Sequence, residues 1–473
     1  MSVITSADPD TTIERRSGRA VPRWVAATGL AVLIFAIGVG VLWPVAHHVP
    51  YHVDEGDYIT TARYFDYLFL RWDLHNDAWK DNVSTHTQPM LTRYITGCWL
   101  WLRGHNLLTL EPTLPPPPGG NGSSWPRWLV IEARAPSVAF AAGDLVLLYW
   151  LGYLIAGPIA GIVAAALVLA NPWLHVLLVR VIPEPSLTFF LLLTLCLAMI
   201  GVRRGRRGEL PLGWAVATGI ALGLALQSKL TAVFSLVALA GWALMVVAAA
   251  WWRNRRELRM AGREVWSAGR GWAVAIVLAL AVFVLTNPHL YPNPVLHTEH
   301  LFQERSTTMH AQAADDPLEA TGNLADRVSY VLGGSLVLHV HAPTYSSRIS
   351  PTTGAPTTDD PLGVWQGLPL AVLLAPLAAA WLLIRSWRTW ISQRCLAAEG
   401  LLLLTTIVYL VGIAITIGLK WYRYLVPTYV LASLLAGIGI VVALDALREF
   451  QRRRGLSRIS VKAWKAGTED PSP

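Results

Sequence analysis

Long apolar runs recur along this chain, and they decide what it can become. A helix that crosses a hydrocarbon core needs about 20 residues. Runs of that order lie at about 24–46, 136–156, 158–179, 184–201, 211–228, 230–252, 271–287, 364–384, 399–418 and 424–446. Inside a bilayer each backbone N–H and C=O must find its partner within its own segment, so each run reads as a helix. Charged residues make up only 14% of the 473, against roughly 25% in soluble domains, too few to cover a water-facing surface. The expectation is an all-α polytopic membrane protein. Its span count is ten to thirteen, because Gly and Pro interrupt several runs.

A net charge of +8 would suit a nucleic-acid partner, but the arginines sit in short connections. They cluster at Arg203–Arg207, Arg253–Arg263, Arg385–Arg394 and Arg452–Arg454. With residues 1–23 in the cytoplasm, every such cluster falls inside, and the two long polar loops, about 47–132 and 288–363, fall outside. That is the positive-inside pattern, and nucleic acid is set aside. The chain divides into a basic tail at 1–23, a membrane domain at 24–446 and a basic tail at 447–473. The first run is too long for a signal-peptide core and no small-residue cleavage site follows, so it reads as an uncleaved span. Cys98, Cys196 and Cys395 lie far apart in apolar settings and suggest neither disulfide nor metal. No internal repeat is visible, which argues mildly against a transporter.

Chemistry gathers on the outer side. Tyr51–Arg63 reads YHVDEGDYITTAR and places Asp54, Glu55 and Asp57 just past the first span. In the loop that follows, 56–72 and 88–103 set aromatic and aliphatic residues at helical spacing beside Arg and Asp, as interfacial helices do. A stiff proline run at 112–124 comes next. Parity brings Arg134, Glu184, Lys229 and Arg423 to the same face. Singly, each cation could snorkel to the headgroups, and Glu184 could simply favour a helix start. Together they describe carboxylates near cations at a membrane boundary, where a lipid phosphate could be held and a hydroxyl deprotonated. His289, His297, His300 and Glu299 offer metal-type donors at a spacing that matches no standard site. No metal site is assigned and no cofactor is named, with room left for a divalent cation. The sequons at Asn82 and Asn121 read as chance occurrences.

At these residues the sequence resembles the C-type (GT-C) glycosyltransferases, above all the protein O-mannosyltransferase family and the aminoarabinose transferases that modify lipid A. HVDEGDY is similar to the family's acidic motif, which implies Asp54 as general base with Glu55 in support. QPMLTRY resembles the HPPLGK-like element, with Gln88 in place of the His, Met90 in place of the second Pro and Arg93 in place of the Lys. Arg134, Glu184 and Gly223-Leu224-Ala225 with Lys229 resemble further family elements, and Arg423 in RYLVP does so less specifically. The resemblance implies that Arg134 and Lys229, with Arg423, meet the donor phosphate. Asp57, Gln88, Arg93, Glu184 and His289 are expected to support the site. No MIR-like module interrupts the outer loop.

The implied fold is a GT-C-type transmembrane bundle with an extracytoplasmic loop carrying interfacial helices. The implied activity is an inverting transfer of a hexosyl or pentosyl group. It would run from a polyprenyl-phosphate donor to a hydroxyl of a protein, glycolipid or glycan, on the outer face of the cell membrane. The alternative is a flippase or transporter of lipid-linked sugars, for which Asp144 would be the charged group deepest in a span. Transport without transfer of the sugar would distinguish it.

Overall fold

A computed structural model describes residues 23–80, 85, 87–112, 125–315, 317, 320–338, 345–349, 356–358 and 368–466. The two sequons, the prolines at 115–118 and the chain ends lie outside the described residues. The protein is a multi-pass membrane helix bundle. Eight helices are long and apolar enough to cross a membrane. They contain α1 (Arg23–His48), α4 (Arg127–Ala156), α7 (Glu184–Arg204), α9 (Val233–Asn254), α10 (Leu258–Leu285), α13 (Leu370–Gln393), α14 (Glu399–Thr416) and α15 (Val426–Ala466).

The expected 158–179 span is broken. It consists of α5 (Pro158–Leu169) and α6 (Pro172–Val179), bent by 79°. The cause is local: Asn171 is extended and its side chain accepts from Trp173 N at 3.1 Å, capping a new helix whose first residue, Pro172, has no N–H to leave unpaired. The 211–228 run is α8 (Leu212–Ser228), a shorter apolar helix. All ten apolar runs are thus helical, but among the described residues eight spans, or nine with the bent pair, replace the expected ten to thirteen. Several boundaries differ from expectation: the 136–156 run belongs to a helix that begins at Arg127, and the 364–384 run is a helix at Leu370–Gln393. The 271–287 run belongs to a helix that begins at Leu258, and the last helix continues through residues 447–466 rather than giving way to a separate tail.

The bundle closes through small residues, as membrane helices do where backbones must approach. A Cβ on Gly219 would lie 2.6 Å from Ala275 O of α10, and one on Gly161 would lie 2.2 Å from Tyr149 O of α4. Gly161→Leu is therefore expected to destabilise the protein by about 1–3 kcal/mol through overpacking. Thermal unfolding in detergent would read this as a lowered midpoint. An unchanged midpoint would mean that α4 and α5 can part freely.

Ion pairs tie each end of the bundle. At one end Arg203 and Arg385 share Glu399 at 2.7 and 3.4 Å, while Arg207 and Arg253 share Glu264 at 3.5 and 3.6 Å. The basic clusters read from the sequence thus meet at one end. The other end carries the two long loops.

In the first loop, α2 (Val53–Thr60) runs on through short turns towards α3 (Leu91–Leu102). Ile59, Tyr64, Met90 and Leu100 bury themselves against Leu129 and Val130 of α4 and against Val181. Phe69, Trp72, Trp101 and Leu102 stay exposed, as suits a membrane interface. The second loop holds α11 (Pro294–Asp315), α12 (Leu324–Leu336) and a small antiparallel hairpin, β1 (Tyr345–Ile349) with β2 (Pro356–Thr358). That hairpin is the one departure from an all-α chain among the described residues.

Candidate active site

The two adjacent carboxylates of α2 face opposite ways. Neighbours on a helix point about 100° apart, so one can line a cavity while the other enters the core. His52 caps the helix: its Nδ1 accepts from Asp54 N at 3.2 Å, and Glu55 Oε2 accepts from His52 N at 3.0 Å. This reciprocal capping box fixes both carboxylates relative to the backbone.

Glu55 is fully buried. Arg134 grips it with Nε to Oε1 at 2.7 Å and Nη2 to Oε2 at 2.6 Å, and Val181 N adds a bond to Oε1 at 3.1 Å. The remaining Arg134 donors go to the carbonyls of Ala46, Val49 and Pro50 at 2.7, 2.8 and 3.1 Å. All five guanidinium N–H groups are thereby spent, and the side chain is 2% exposed. The expectation that Arg134 meets the donor phosphate is corrected on this ground: it clamps α2 to the end of α1, while Val181 N, in the turn after α6, holds Glu55. Burial pushes the Glu55 carboxyl up, but Arg134 outweighs it and the group is held below its ordinary value.

Asp54 lines a cavity of about 520 Å³ and is 31% exposed. Arg423 Nη1 is bonded to its Oδ2. Burial again favours the neutral acid, yet the Arg423 guanidinium overcomes it and holds Asp54 well below the usual carboxylate range. Burial pushes His52 down to about 4, so the imidazole is neutral near pH 7, in keeping with an Nδ1 that accepts. Because the folded Asp54 value lies below the unfolded one of about 4, the stability it contributes is complete above that pH. It fades as pH falls through the folded value. The difference in unfolding midpoint between wild type and Asp54→Asn should hold steady from about pH 7 to 5 and shrink below about 4. A difference indifferent to pH would mean that the pair adds nothing.

Glu184 and Lys229 line the same cavity and pair at 2.5 Å. Glu184 Oε2 is buried with no hydrogen-bond partner among the described residues. Lys229 reaches it because the chain is extended there, between α8 and the turn Leu230–Ala232. Around Tyr424 the cations gather. Lys229 Nζ lies 4.5 Å and the Arg423 guanidinium carbon 5.7 Å from its ring centroid, and Arg305 Nη2 donates to its hydroxyl at 2.6 Å. Arg305, on α11, has no carboxylate within ion-pair distance among the described residues. The sequence reading missed both Arg305 and Tyr424. Arg305 carried no motif, only a position in a polar loop outside the membrane.

The other expected residues stand one layer away or line the wall. Gln88 lines the cavity and accepts from the Tyr58 hydroxyl. Arg93 is fully buried and spends itself on Asp57 at 3.0 Å, Thr61 Oγ1 at 2.8 Å and Pro89 O at 3.2 Å, which ties α3 to α2. His289 contacts Trp79 O at 3.2 Å and does not line the cavity. The His289 and His297 ring centroids are 4.9 Å apart. Among the described residues no three His, Cys, Asp or Glu groups assemble as a metal would need. Opposite the charges the wall is apolar, formed by Val233, Phe234, Ile413 and Ile415. A cavity with two carboxylates, each paired with a cation, a further arginine and an apolar wall can hold an anion that carries a hydrocarbon chain.

No curated protein sequence matches the chain. Among solved structures it is similar to ArnT from Cupriavidus metallidurans bound to undecaprenyl phosphate, at 16% identity and a TM-score of 0.47. That match covers 87% of this chain and 60% of the other. It is similar to the archaeal oligosaccharyltransferase AglB from Archaeoglobus fulgidus, at 12% identity and 0.47, covering 91% and 52%. A third likeness is to the S. cerevisiae protein O-mannosyltransferase Pmt1-Pmt2 complex, at 14% and 0.41, covering 57% and 34%. The chain thus spans about 60% of ArnT's length and less of the others. Residues 126–290, from the start of α4 to the turn after α10, match the family model for dolichyl-phosphate-mannose-protein mannosyltransferase, and this segment carries that family's sequence pattern.

Proposed function

We propose that the protein is an inverting glycosyltransferase that moves a sugar from a polyprenyl-phosphate donor to a hydroxyl acceptor on the extracytoplasmic face of the cell membrane. The observation that carries this reading is the cavity itself. Asp54 stands ionised across from Lys229, Arg305 and Arg423, and an apolar wall lies beside them. The matched family model, described by a lipid-phosphate sugar donor, supports the donor class. The cavity lies at the loop-bearing end, opposite the arginine-rich end that the positive-inside pattern assigns to the cytoplasm, which supports an outer site.

In this reading the donor phosphate enters among Lys229, Arg305 and Arg423, which stabilise it as a leaving group. Arg423 then has a second anion to bond, and its hold on Asp54 loosens. A carboxylate held far below its ordinary range is a weak base; loosening the hold raises its basicity when the donor is in place. Asp54 takes the acceptor's proton, the acceptor oxygen attacks the anomeric carbon, and polyprenyl phosphate departs with the bonding pair. Glu55 and Arg134 keep α2 in position, and Glu184 holds Lys229. The membrane domain would span 24–446, with the loops at 47–132 and 288–363 roofing the site.

Equilibrium binding of polyprenyl phosphate to the purified protein tests the phosphate cradle. Lys229→Gln with Arg305→Gln is expected to weaken binding about 10-fold or more, since charge-assisted bonds are worth about 1.5–3 kcal/mol each. Unchanged affinity would remove the cradle. The transport alternative gains no support from Asp144, which is fully buried and does not line this cavity.

A further inference from the structure

A second hollow lies at the arginine-rich end, far from Asp54 along α8. It is a cleft of about 950 Å³ between α8 and α10. Its walls are apolar: Leu212, Val216, Val277, Leu278 and Ala281. Several of these face outward, with Leu212 64% and Val277 65% exposed. The cleft exists because the two helices touch elsewhere through glycines. A Cβ on Gly219 would lie 2.6 Å from Ala275 O, and one on Gly223 would lie 2.6 Å from Val282 Cβ. The larger side chains are left to form a groove beside that seam.

Charge decides what the groove suits. Its mouth is formed by Arg204, Arg206 and Arg270, all exposed. At this end Glu399 is already shared by Arg203 and Arg385, and Glu264 by Arg207 and Arg253. The three mouth arginines have no carboxylate within ion-pair distance among the described residues. Arg204 instead lies over the Trp214 ring, 5.1 Å from its centroid. The one carboxylate in the cleft, Glu209, accepts from Ser267 Oγ at 3.0 Å. Three unpaired guanidinium groups above an apolar trough that opens towards the bilayer match a diacyl phospholipid with a net negative headgroup. We infer that this cleft is a binding site for an anionic phospholipid, its phosphate met by Arg204, Arg206 and Arg270 and an acyl chain laid between α8 and α10. The inference does not rest on the transferase reading.

Native mass spectrometry of the full-length protein tests it, with palmitoyl-oleoyl phosphatidylglycerol and the matching phosphatidylcholine titrated separately. Wild type should bind one phosphatidylglycerol about 10-fold or more tighter than phosphatidylcholine, given the attraction of several arginines for an anionic headgroup. The triple variant Arg204→Gln, Arg206→Gln, Arg270→Gln should bring the two lipids to near parity. Val277→Trp keeps every charge, fills the trough, and should also weaken phosphatidylglycerol. Arg255→Gln, Arg256→Gln, Arg388→Gln removes exposed charge outside the cleft and should leave the preference intact. Equal binding of both lipids to wild type would overturn the inference. So would an equal loss in the two triple variants, or wild-type affinity in Val277→Trp.

Discussion

Replacing Asp54 by Asn is expected to lower the rate of sugar transfer by about 10²–10⁴-fold, the usual contribution of a positioned general base. The substitution keeps size and shape but removes the lone pair that would take the acceptor's proton. Donor binding should be as tight or tighter, because Arg423 loses its competing carboxylate and remains free for the phosphate. The signature is a split: turnover collapses while the dissociation constant of polyprenyl phosphate holds or falls. Single-turnover release measured beside equilibrium binding would show it. Near-normal turnover would remove Asp54 from the chemistry, and a parallel loss of binding would recast it as part of the cradle.

Glu55→Gln should act on the fold first. The Arg134 guanidinium is enclosed, and removing the one carboxylate that pairs with it among the described residues leaves a buried charge without a counter-ion. Breaking one partner of such a pair costs about 3–5 kcal/mol, whereas replacing both by apolar groups is often far milder. Glu55→Gln is thus expected to lower the unfolding midpoint sharply and to reduce the folded yield. The pair Glu55→Leu with Arg134→Met should recover part of that stability. If Glu55→Gln folds as well as wild type but fails in transfer, Glu55 is acting in the chemistry rather than in positioning α2. If the double variant is no better than the single, the cost lies in the lost carbonyl contacts of Arg134 at Ala46, Val49 and Pro50.

The contrast between these neighbours shows where reading a sequence stops. Asp54 and Glu55 look alike in HVDEGDY, and both were expected at the reaction centre. Their separation depends on which side of α2 packs against Val181 and α4, contacts made with residues more than seventy positions away. Arg134 was legible as a costly charge at a span start, but only its five partners reveal that it has no donor left for a phosphate. Lys229 and Glu184 were both legible, because a charge beside an apolar run needs an explanation wherever it falls. Their pairing was not, since it requires α7 and α8 to end at the same depth. Arg305 was the reverse case: in a polar loop a charge needs no explanation, so nothing singled it out until α11 placed it on Tyr424. The spans themselves were largely legible, because length and hydropathy nearly suffice. The break between α5 and α6 turns on one capping residue, Asn171, which an apolar run conceals.

In the proposed reaction this cavity cleaves a sugar from a lipid phosphate. Its most direct test is release of polyprenyl phosphate in nanodiscs from radiolabelled polyprenyl-phosphate sugars supplied one at a time, with membrane extract as the acceptor source. Wild type should release polyprenyl phosphate and pass the label to an acceptor with one of the sugars, and Asp54→Asn should do neither. No release from any donor, or equal release by both proteins, would contradict it.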